Sequence, residues 1–130
     1  MNHHPFELPP HHDDLTAAME TFKALADETR LKLIAHLYQG EHRVNDLVEA
    51  LVSPQSTVSR HLAVLRHAKL VVVRRDGTSA YYRLADAHVG HLVTQAFAHA
   101  QHKRLGLPDH EDETQEEMSA SRDTDAGWTS

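Results

Sequence analysis

The sequence predicts a mainly α-helical domain with one β-hairpin, in the order ααααββα. Three observations support this fold class. Apolar residues recur at helical spacing through most of residues 15–67, a β-branched run then meets the turn-forming pair Asp76-Gly77, and a further helical pattern follows Asp86. We therefore expect one folded domain over residues 15–105.

The first two helices are predicted from apolar periodicity and capping residues. Asp13 or Asp14 can cap helix one, and Asp27 can cap helix two. Gly40 stands where a left-handed residue is favoured after the second helix. The apolar residues at helical spacing are Leu15, Met19, Phe22 and Ala26 in helix one, and Leu31, Ile34, Leu37 and Tyr38 in helix two.

Residues 43–51 predict a short third helix, and a tight connection leads from it to a fourth. In that connection Ser53 is expected to be the N-cap and Pro54 the first helical residue. The fourth helix then has a narrow apolar arc and an outer face that is small, polar and basic. The arc holds Val58, Leu62 and Leu65, and the outer face holds Ser56, Thr57, Ser59, Arg60 and Ala63.

The remaining elements are a hairpin and a last helix. Residues 70–75 and 79–84 predict two strands joined by Asp76-Gly77, which favours a tight hairpin turn. Residues 86 to about 104 predict the last helix, with Asp86 as its N-cap. Two short helices joined by a tight turn and followed by a hairpin form a winged helix-turn-helix.

The chain of 130 residues has a net charge of −6, but this charge is unevenly distributed. Residues 1–14 predict a flexible leader rich in histidine and proline. Residues 106–130 hold eight acidic residues and one basic residue and predict a disordered acidic tail. Residues 15–105 hold 12 basic and 8 acidic residues, a net charge of +4 that suits a polyanionic partner.

Composition also excludes several classes of protein. The chain has no cysteine, which excludes disulfides and thiolate metal sites. No apolar run is long enough to span a membrane, and no secretion signal is recognisable, so we expect a cytoplasmic protein. A zinc hydrolase motif such as HExxH is also missing from the sequence, so we do not expect an enzyme.

The outer face of the fourth helix is a candidate reader of double-stranded DNA. In a helix-turn-helix the N-terminal part of the second helix enters the major groove. Arg60 is the best candidate to contact guanine, and the hairpin arginines suit phosphates or the minor groove. A merely solvated helix face is the alternative, which the adjoining hairpin disfavours. The candidate DNA-binding residues are Gln55, Ser56, Thr57, Ser59, Arg60, His61, Arg74 and Arg75.

The last helix carries candidate metal ligands among the chain's 13 histidines. His88, His99 and His102 lie on one stripe of this helix and Asp86 stands two residues before His88, but His88 and His99 are about 16 Å apart along the helix axis. Two copies packed antiparallel would bring the two ends together. The spacing thus predicts a homodimer with two intersubunit sites, each a set of three imidazoles and one carboxylate that zinc favours. Exposed histidines without a ligand role are the alternative.

Over about residues 15–105 the chain resembles the ArsR/SmtB family of winged-helix metal-sensing repressors. The resemblance lies in ALADETRLKLIAHL, SPQSTVSRHLAVLRHAKLV, RRDGTSAYYRL and the final helix. The ligand pattern is similar to the branch that senses zinc, cobalt or nickel on its C-terminal dimer helices. Arg43 and Asn45 stand where arsenic, cadmium and lead sensors of the family carry cysteines, so that site is absent.

The resemblance implies a mechanism. The metal-free dimer would repress an inverted-repeat operator, and metal would release it, derepressing metal efflux or homeostasis genes. By the same resemblance, the second ring nitrogen of His99 would bind the backbone carbonyl of Lys69, and Gln55 would extend this link to the recognition helix. A regulator that binds DNA regardless of metal remains an alternative.

The identity of the metal stays open between three ions. Four ligands favour Zn²⁺, with Co²⁺ second. Nickel sensors of the family add ligands from flexible termini, so Ni²⁺ is the alternative. The residues that could supply those extra ligands here are His3, His4, His110 and Glu111.

Overall fold

The computed structural model describes residues 7–106 and Trp128. It confirms a mainly α-helical fold with a β-hairpin wing, and adds one short strand that the sequence did not predict. In chain order the elements are α1 His12–Leu25, α2 Glu28–Leu37, β1 His42–Arg43, α3 Val44–Leu51, α4 Gln55–His67, β2 Val71–Asp76, β3 Ser79–Leu84 and α5 Ala87–Leu105.

The three strands form an antiparallel sheet in the order β1-β3-β2. The hairpin register ends at Asp76 opposite Ser79, so its two turn residues are Gly77 and Thr78. The predicted turn pair Asp76-Gly77 is therefore wrong by one residue. Gly77 has φ +64°, as the first central residue of a type II′ turn requires.

The core lies where α2, α3 and α4 meet the base of the wing. Seven side chains are almost completely shielded from solvent and come from all three helices and β2. Burying each such aliphatic side chain contributes about 1.5–3 kcal/mol to folding. They are Leu33, Ile34, Leu47, Val58, Leu62, Leu65 and Val71.

The observed helix termini match the predicted ones at two N-caps and differ from them at three places. Asp27 and Asp86 cap α2 and α5 with their carboxylates, as predicted. Helix α1 instead begins inside the predicted leader, with His11 accepting from the backbone of Asp13. Pro54, not Ser53, is the N-cap of α4, and the Ser53 hydroxyl donates to the Leu51 carbonyl. Gly40 has φ +143°, outside the left-handed helical region predicted for it.

The turn between α3 and α4 sets the direction of the recognition helix. Val52 ends α3 in the left-handed conformation, with φ 51° and ψ 52°. The amides of Val52 and Ser53 both donate to the Val48 carbonyl, which closes the end of α3.

Over the described part of the chain, no helix is both long enough and apolar enough to cross a membrane.

Candidate functional site: recognition helix, wing and histidine ligands

The recognition helix α4 has one buried side and one open side. Its buried side packs Val58, Leu62 and Leu65 into the core, each with 0% exposure. Of the predicted DNA-reading residues in the first two turns of α4, four are exposed, Thr57 is half-buried and His61 is buried. A rigid helix held by its inner face presents those side chains to a groove without further ordering. The exposed predicted residues are Gln55, Ser56, Ser59 and Arg60.

His61 does not lie on the outer face, so its predicted placement among the DNA-facing residues is wrong. Only 9% of the residue is exposed. Its Nδ1 atom lies 3.1 Å from Nη1 of Arg30 and 3.7 Å from Oδ2 of Asp27, both on α2 or its cap. His61 follows Val58 by three positions and precedes Leu65 by four, so helical periodicity itself placed it near the buried arc.

The buried surroundings of His61 favour the neutral form of its imidazole ring. Burial lowers the pKa of His61 below its ordinary value of 6.5, because desolvation outweighs the attraction of the Asp27 carboxylate. The Asp27 carboxyl has a lowered pKa, first because it accepts a hydrogen bond from the Arg30 amide. The contact between Asp27 and His61 is therefore not an ion pair at neutral pH.

The two predicted DNA-binding arginines of the wing differ in their exposure to solvent. Arg75 is exposed and lies two residues before the turn. Arg74 is half-buried, and its Nη2 atom lies 3.2 Å from both carboxylate oxygens of Glu41. The Arg74 guanidinium also lies 4.6 Å from the centre of the Tyr81 ring. Arg75 is thus the more accessible of the two for a phosphate.

The first half of the predicted metal set lies at the N-terminus of α5. Oδ1 of Asp86 accepts hydrogen bonds from the amides of His88 (2.9 Å) and Val89 (3.3 Å), which caps the helix. Nδ1 of His88 lies 3.6 Å from the same oxygen, and the His88 side chain is 89% exposed. The two donor groups are therefore adjacent and open to an ion from solvent.

The second half lies at the other end of α5. His99 is exposed and His102 is half-buried, in the last two turns of this 19-residue helix. Among the described residues of one protomer, no three ligand-type side chains come together. Donors of types suited to Zn²⁺ are thus present, separated into one pair at each end of the helix. The extra candidate ligands His3, His4, His110 and Glu111 lie outside the described residues.

The residues predicted to couple the two sites lie at the two ends of α4 and on α5. Gln55 begins α4 and is exposed, and Lys69 lies in the turn after α4 with φ +64°. The Lys69 amide donates to the Arg66 carbonyl, which holds this turn. The link between these two residues and His99 stays a prediction.

Large apolar side chains are exposed on α1 and α5 of a single protomer. They include three residues of the apolar pattern that predicts the first helix, and they leave an uncovered apolar surface. Such a surface suits a second protein chain. The exposed residues are Leu15, Met19, Phe22, Leu92, Phe97 and Leu105.

Comparison with known proteins agrees with this geometry. Residues 27–72 match the family described as "Bacterial regulatory protein, arsR family". The HTH-type transcriptional regulator KmtR of Mycobacterium tuberculosis is 44% identical over 98 residues, which cover 75% of this chain and 75% of KmtR. The HTH-type transcriptional repressor SmtB of the same organism is 42% identical over 95 residues, 73% of this chain and 70% of SmtB.

A solved structure shows the same architecture. The homodimeric winged helix-turn-helix DNA-binding domain of Mb0332 from Mycobacterium bovis aligns with a TM-score of 0.68 and 29% identity, over 81% of this chain and 100% of that one. These relatives are transcriptional regulators and not enzymes. The protein belongs to the ArsR/SmtB family of winged helix-turn-helix transcriptional regulators.

Proposed function

We propose that the protein is a metal-responsive repressor whose metal-free homodimer binds an inverted-repeat operator. A divalent ion, Zn²⁺ or Co²⁺, binds between the C-terminal helices, lowers the affinity for DNA and derepresses metal efflux or homeostasis genes. One observation carries this proposal: α5 is a continuous helix that bears an exposed Asp86–His88 pair at one end and the imidazoles of His99 and His102 at the other.

The dimer supplies what one protomer lacks. An antiparallel neighbour would place the Asp86 and His88 end of one α5 beside the His99 and His102 end of the other. Leu92 lies between these two pairs on the same side of α5 and is 38% exposed, so apolar contact would accompany ligation. Each ion would then have three imidazoles and one carboxylate, a tetrahedral set that suits zinc and cobalt.

The DNA-binding half rests on the exposed face of α4 and on Arg75. A homodimer presents two such helices, which matches an operator with two half-sites. The metal shifts DNA affinity only if it binds one dimer geometry better than another, and the effect is reciprocal: operator DNA must weaken metal binding by the same factor. We place the coupling in α5, the turn at Lys69 and the start of α4 at Gln55.

A mixed-dimer experiment tests the shared sites. Homodimers of His88→Ala and of His99→Ala should each bind a duplex that carries the inverted-repeat operator but fail to release it with zinc. In the heterodimer, both losses fall in one site and the other site is intact, so zinc release should return in part. The matched control is Gln95→Ala, an exposed change on the same side of α5 that should release DNA as the unmodified protein does.

Two outcomes would overturn the proposal. A verified heterodimer that shows no release would exclude the shared antiparallel site. Equal operator affinity of the unmodified protein with zinc and with a chelator would indicate a regulator that binds DNA regardless of metal.

A further inference from the structure

A buried cluster beside the recognition helix takes no part in the proposed metal site. His61 of α4 directs its Nδ1 atom at two groups of opposite kind, Nη1 of Arg30 at 3.1 Å and Oδ2 of Asp27 at 3.7 Å. A guanidinium can only donate a hydrogen bond, and an ionised carboxylate can only accept one. The protonation of this single nitrogen therefore decides which of the two partners it binds.

With a neutral imidazole, the cluster connects three helices. Nδ1 of His61 then accepts from Arg30, whose Nε atom donates to the Ala24 carbonyl at the end of α1. Oδ2 of Asp27 accepts from the Arg30 amide at 3.1 Å and caps α2. The neutral ring is thus the form that holds α4 against α1 and α2 through the Arg30 side chain.

A proton on Nδ1 would reverse these preferences. The imidazolium would repel the Arg30 guanidinium and donate to the nearby Asp27 carboxylate instead. The charged groups that act on the ring are Asp27, Arg30 and its own neighbour Arg60. Of the described elements that contact α4, only α2 with its cap contributes to this set, and α1, α3 and β2 do not. Exchange of Arg30 for Asp27 therefore relieves the repulsion within the cluster.

The position of His61 connects this exchange to DNA. His61 directly follows Arg60, the residue that we expect to contact a base, and both lie on one continuous helix. Only 9% of His61 is exposed, so a change of partner has to move the ring or the helix within a packed environment. Base recognition requires side chains held to within about half an ångström. A small displacement of α4 is therefore enough to weaken its contacts with the major groove.

We propose that Arg30 and His61 position the recognition helix for DNA, and that a proton on His61 removes this positioning, so that mild acid releases the operator. The signal is the hydrogen ion itself, and it acts on the protein without metal. This inference rests on the proposed function, because it takes α4 to be the DNA-reading helix. It adds a second input, independent of the ligands on α5.

The test measures affinity against pH for a duplex selected from a random pool by the full-length protein at about pH 7.5, in chelator and at constant ionic strength. One proton taken up by each protomer lowers affinity by up to about tenfold per pH unit. We therefore expect a loss of at least about tenfold between about pH 7.5 and 5.5. Only pH values at which far-UV circular dichroism matches that at pH 7.5 are compared.

Two variants identify the group that takes up the proton. His61→Asn keeps an acceptor for Arg30 that does not titrate, so its affinity should stay level or rise in acid, as exposed histidines gain positive charge. His67→Asn removes an exposed imidazole from the end of the same helix and should lose affinity in acid as the unmodified protein does. A purely structural role of His61 would not change the shape of the pH profile.

A second measurement follows the His61 ring directly by the nitrogen chemical shifts of its imidazole, assigned by comparison with His61→Asn. Because linkage is reciprocal, the selected duplex should lower the pH at which this ring takes up its proton. An equal loss of affinity in acid by His61→Asn, or a His61 titration that DNA leaves unchanged, would overturn this inference alone. Failure to select any duplex at pH 7.5 would overturn the proposed function together with it.

Discussion

Arg30 Nη1 lies 3.1 Å from His61 Nδ1 and fixes the tautomer of that imidazole. A guanidinium can only donate, so Nδ1 accepts and the proton of the neutral ring is on Nε2. The Nε atom of Arg30 donates to the carbonyl of Ala24 at the end of α1. One side chain of α2 thus connects α1 to the recognition helix, and protonation of His61 at Nδ1 would break the connection.

Stability should therefore fall in mild acid. The unfolded chain binds a proton at His61 near pH 6.5, whereas the folded chain, with its lowered pKa, binds it only at lower pH. The free energy of unfolding should decrease as pH drops from about 7.5 to 5, by at most about 1.4 kcal/mol per pH unit from this group. Asparagine at this position keeps an acceptor that does not titrate, so His61→Asn should flatten the dependence.

Urea denaturation at several pH values measures this effect. His67→Asn is the matched control, since His67 is exposed and lies at the end of the same helix. It should keep the dependence of the unmodified protein. An unchanged pH dependence in His61→Asn would show that the buried imidazole is not the group responsible.

Val52→Gly should stabilise the protein. Val52 adopts the left-handed conformation that glycine tolerates, and it is 88% exposed, so removing its side chain loses little packing. Relief of the backbone strain at a β-branched residue outweighs the entropy that glycine adds to the unfolded chain, for a net gain of about 0.5–1 kcal/mol. Glu49→Gly, an exposed change inside α3, should instead cost about 1 kcal/mol. Thermal unfolding of both variants compares them, and a loss in Val52→Gly would contradict the argument.

The sequence predicted those elements whose signals are local. Asp86 and Asp27 each precede a long apolar pattern, and both carboxylates cap helices as expected. Strand β1 could not be predicted, because two residues show no periodicity and His42 pairs with Tyr82, far along the chain. The start of α4 was misplaced because both Ser53 and Pro54 are common at helix N-termini.

In the candidate DNA-binding helix, too, the features that follow from local spacing were predicted correctly. Exposure of Arg60 and burial of Leu62 follow from helical spacing alone. The inward position of His61 differs from the prediction because its place beside the apolar arc of α4 outweighs the polarity of its ring. Contacts between distant segments, such as Arg74 with Glu41 or Arg83 with Trp128, have no local signal in the sequence.

Gly90→Ala should disturb the seam between α2 and α5. A Cβ atom at Gly90 would overlap Cδ1 and Cε1 of the Tyr38 ring, so the ring or the helix would have to move. Overpacking of this kind costs about 1–3 kcal/mol. If the Tyr38 ring is the obstacle, Gly90→Ala should cost much less in a Tyr38→Ala background. Equal costs in both backgrounds, measured by urea denaturation, would exclude that explanation.

Two substitutions at Asp86 should separate its structural role from its proposed role as a ligand. Asp86→Ala removes the cap of α5 and should cost about 0.5–2 kcal/mol of stability, whereas Asp86→Asn keeps an acceptor for the amides of His88 and Val89. Both remove the carboxylate and should weaken zinc-driven release of DNA. Normal release by Asp86→Asn would remove Asp86 from the ligand set, whatever its stability.

Arg60 and Arg75 should affect DNA binding in different ways. Arg60 projects from the exposed face of α4, so Arg60→Ala should reduce discrimination at one base pair of the operator by about 1–3 kcal/mol. Arg75 is suited to a phosphate, so Arg75→Ala should weaken all sequences alike and reduce the slope of log affinity against log salt by about 1. Lys32→Ala is the control, because Lys32 is ion-paired to Glu28 on α2 and should leave both quantities unchanged. Titrations of operator and random duplexes at several salt concentrations measure both effects. An equal loss on operator and random DNA for Arg60→Ala would place the base contact elsewhere on α4.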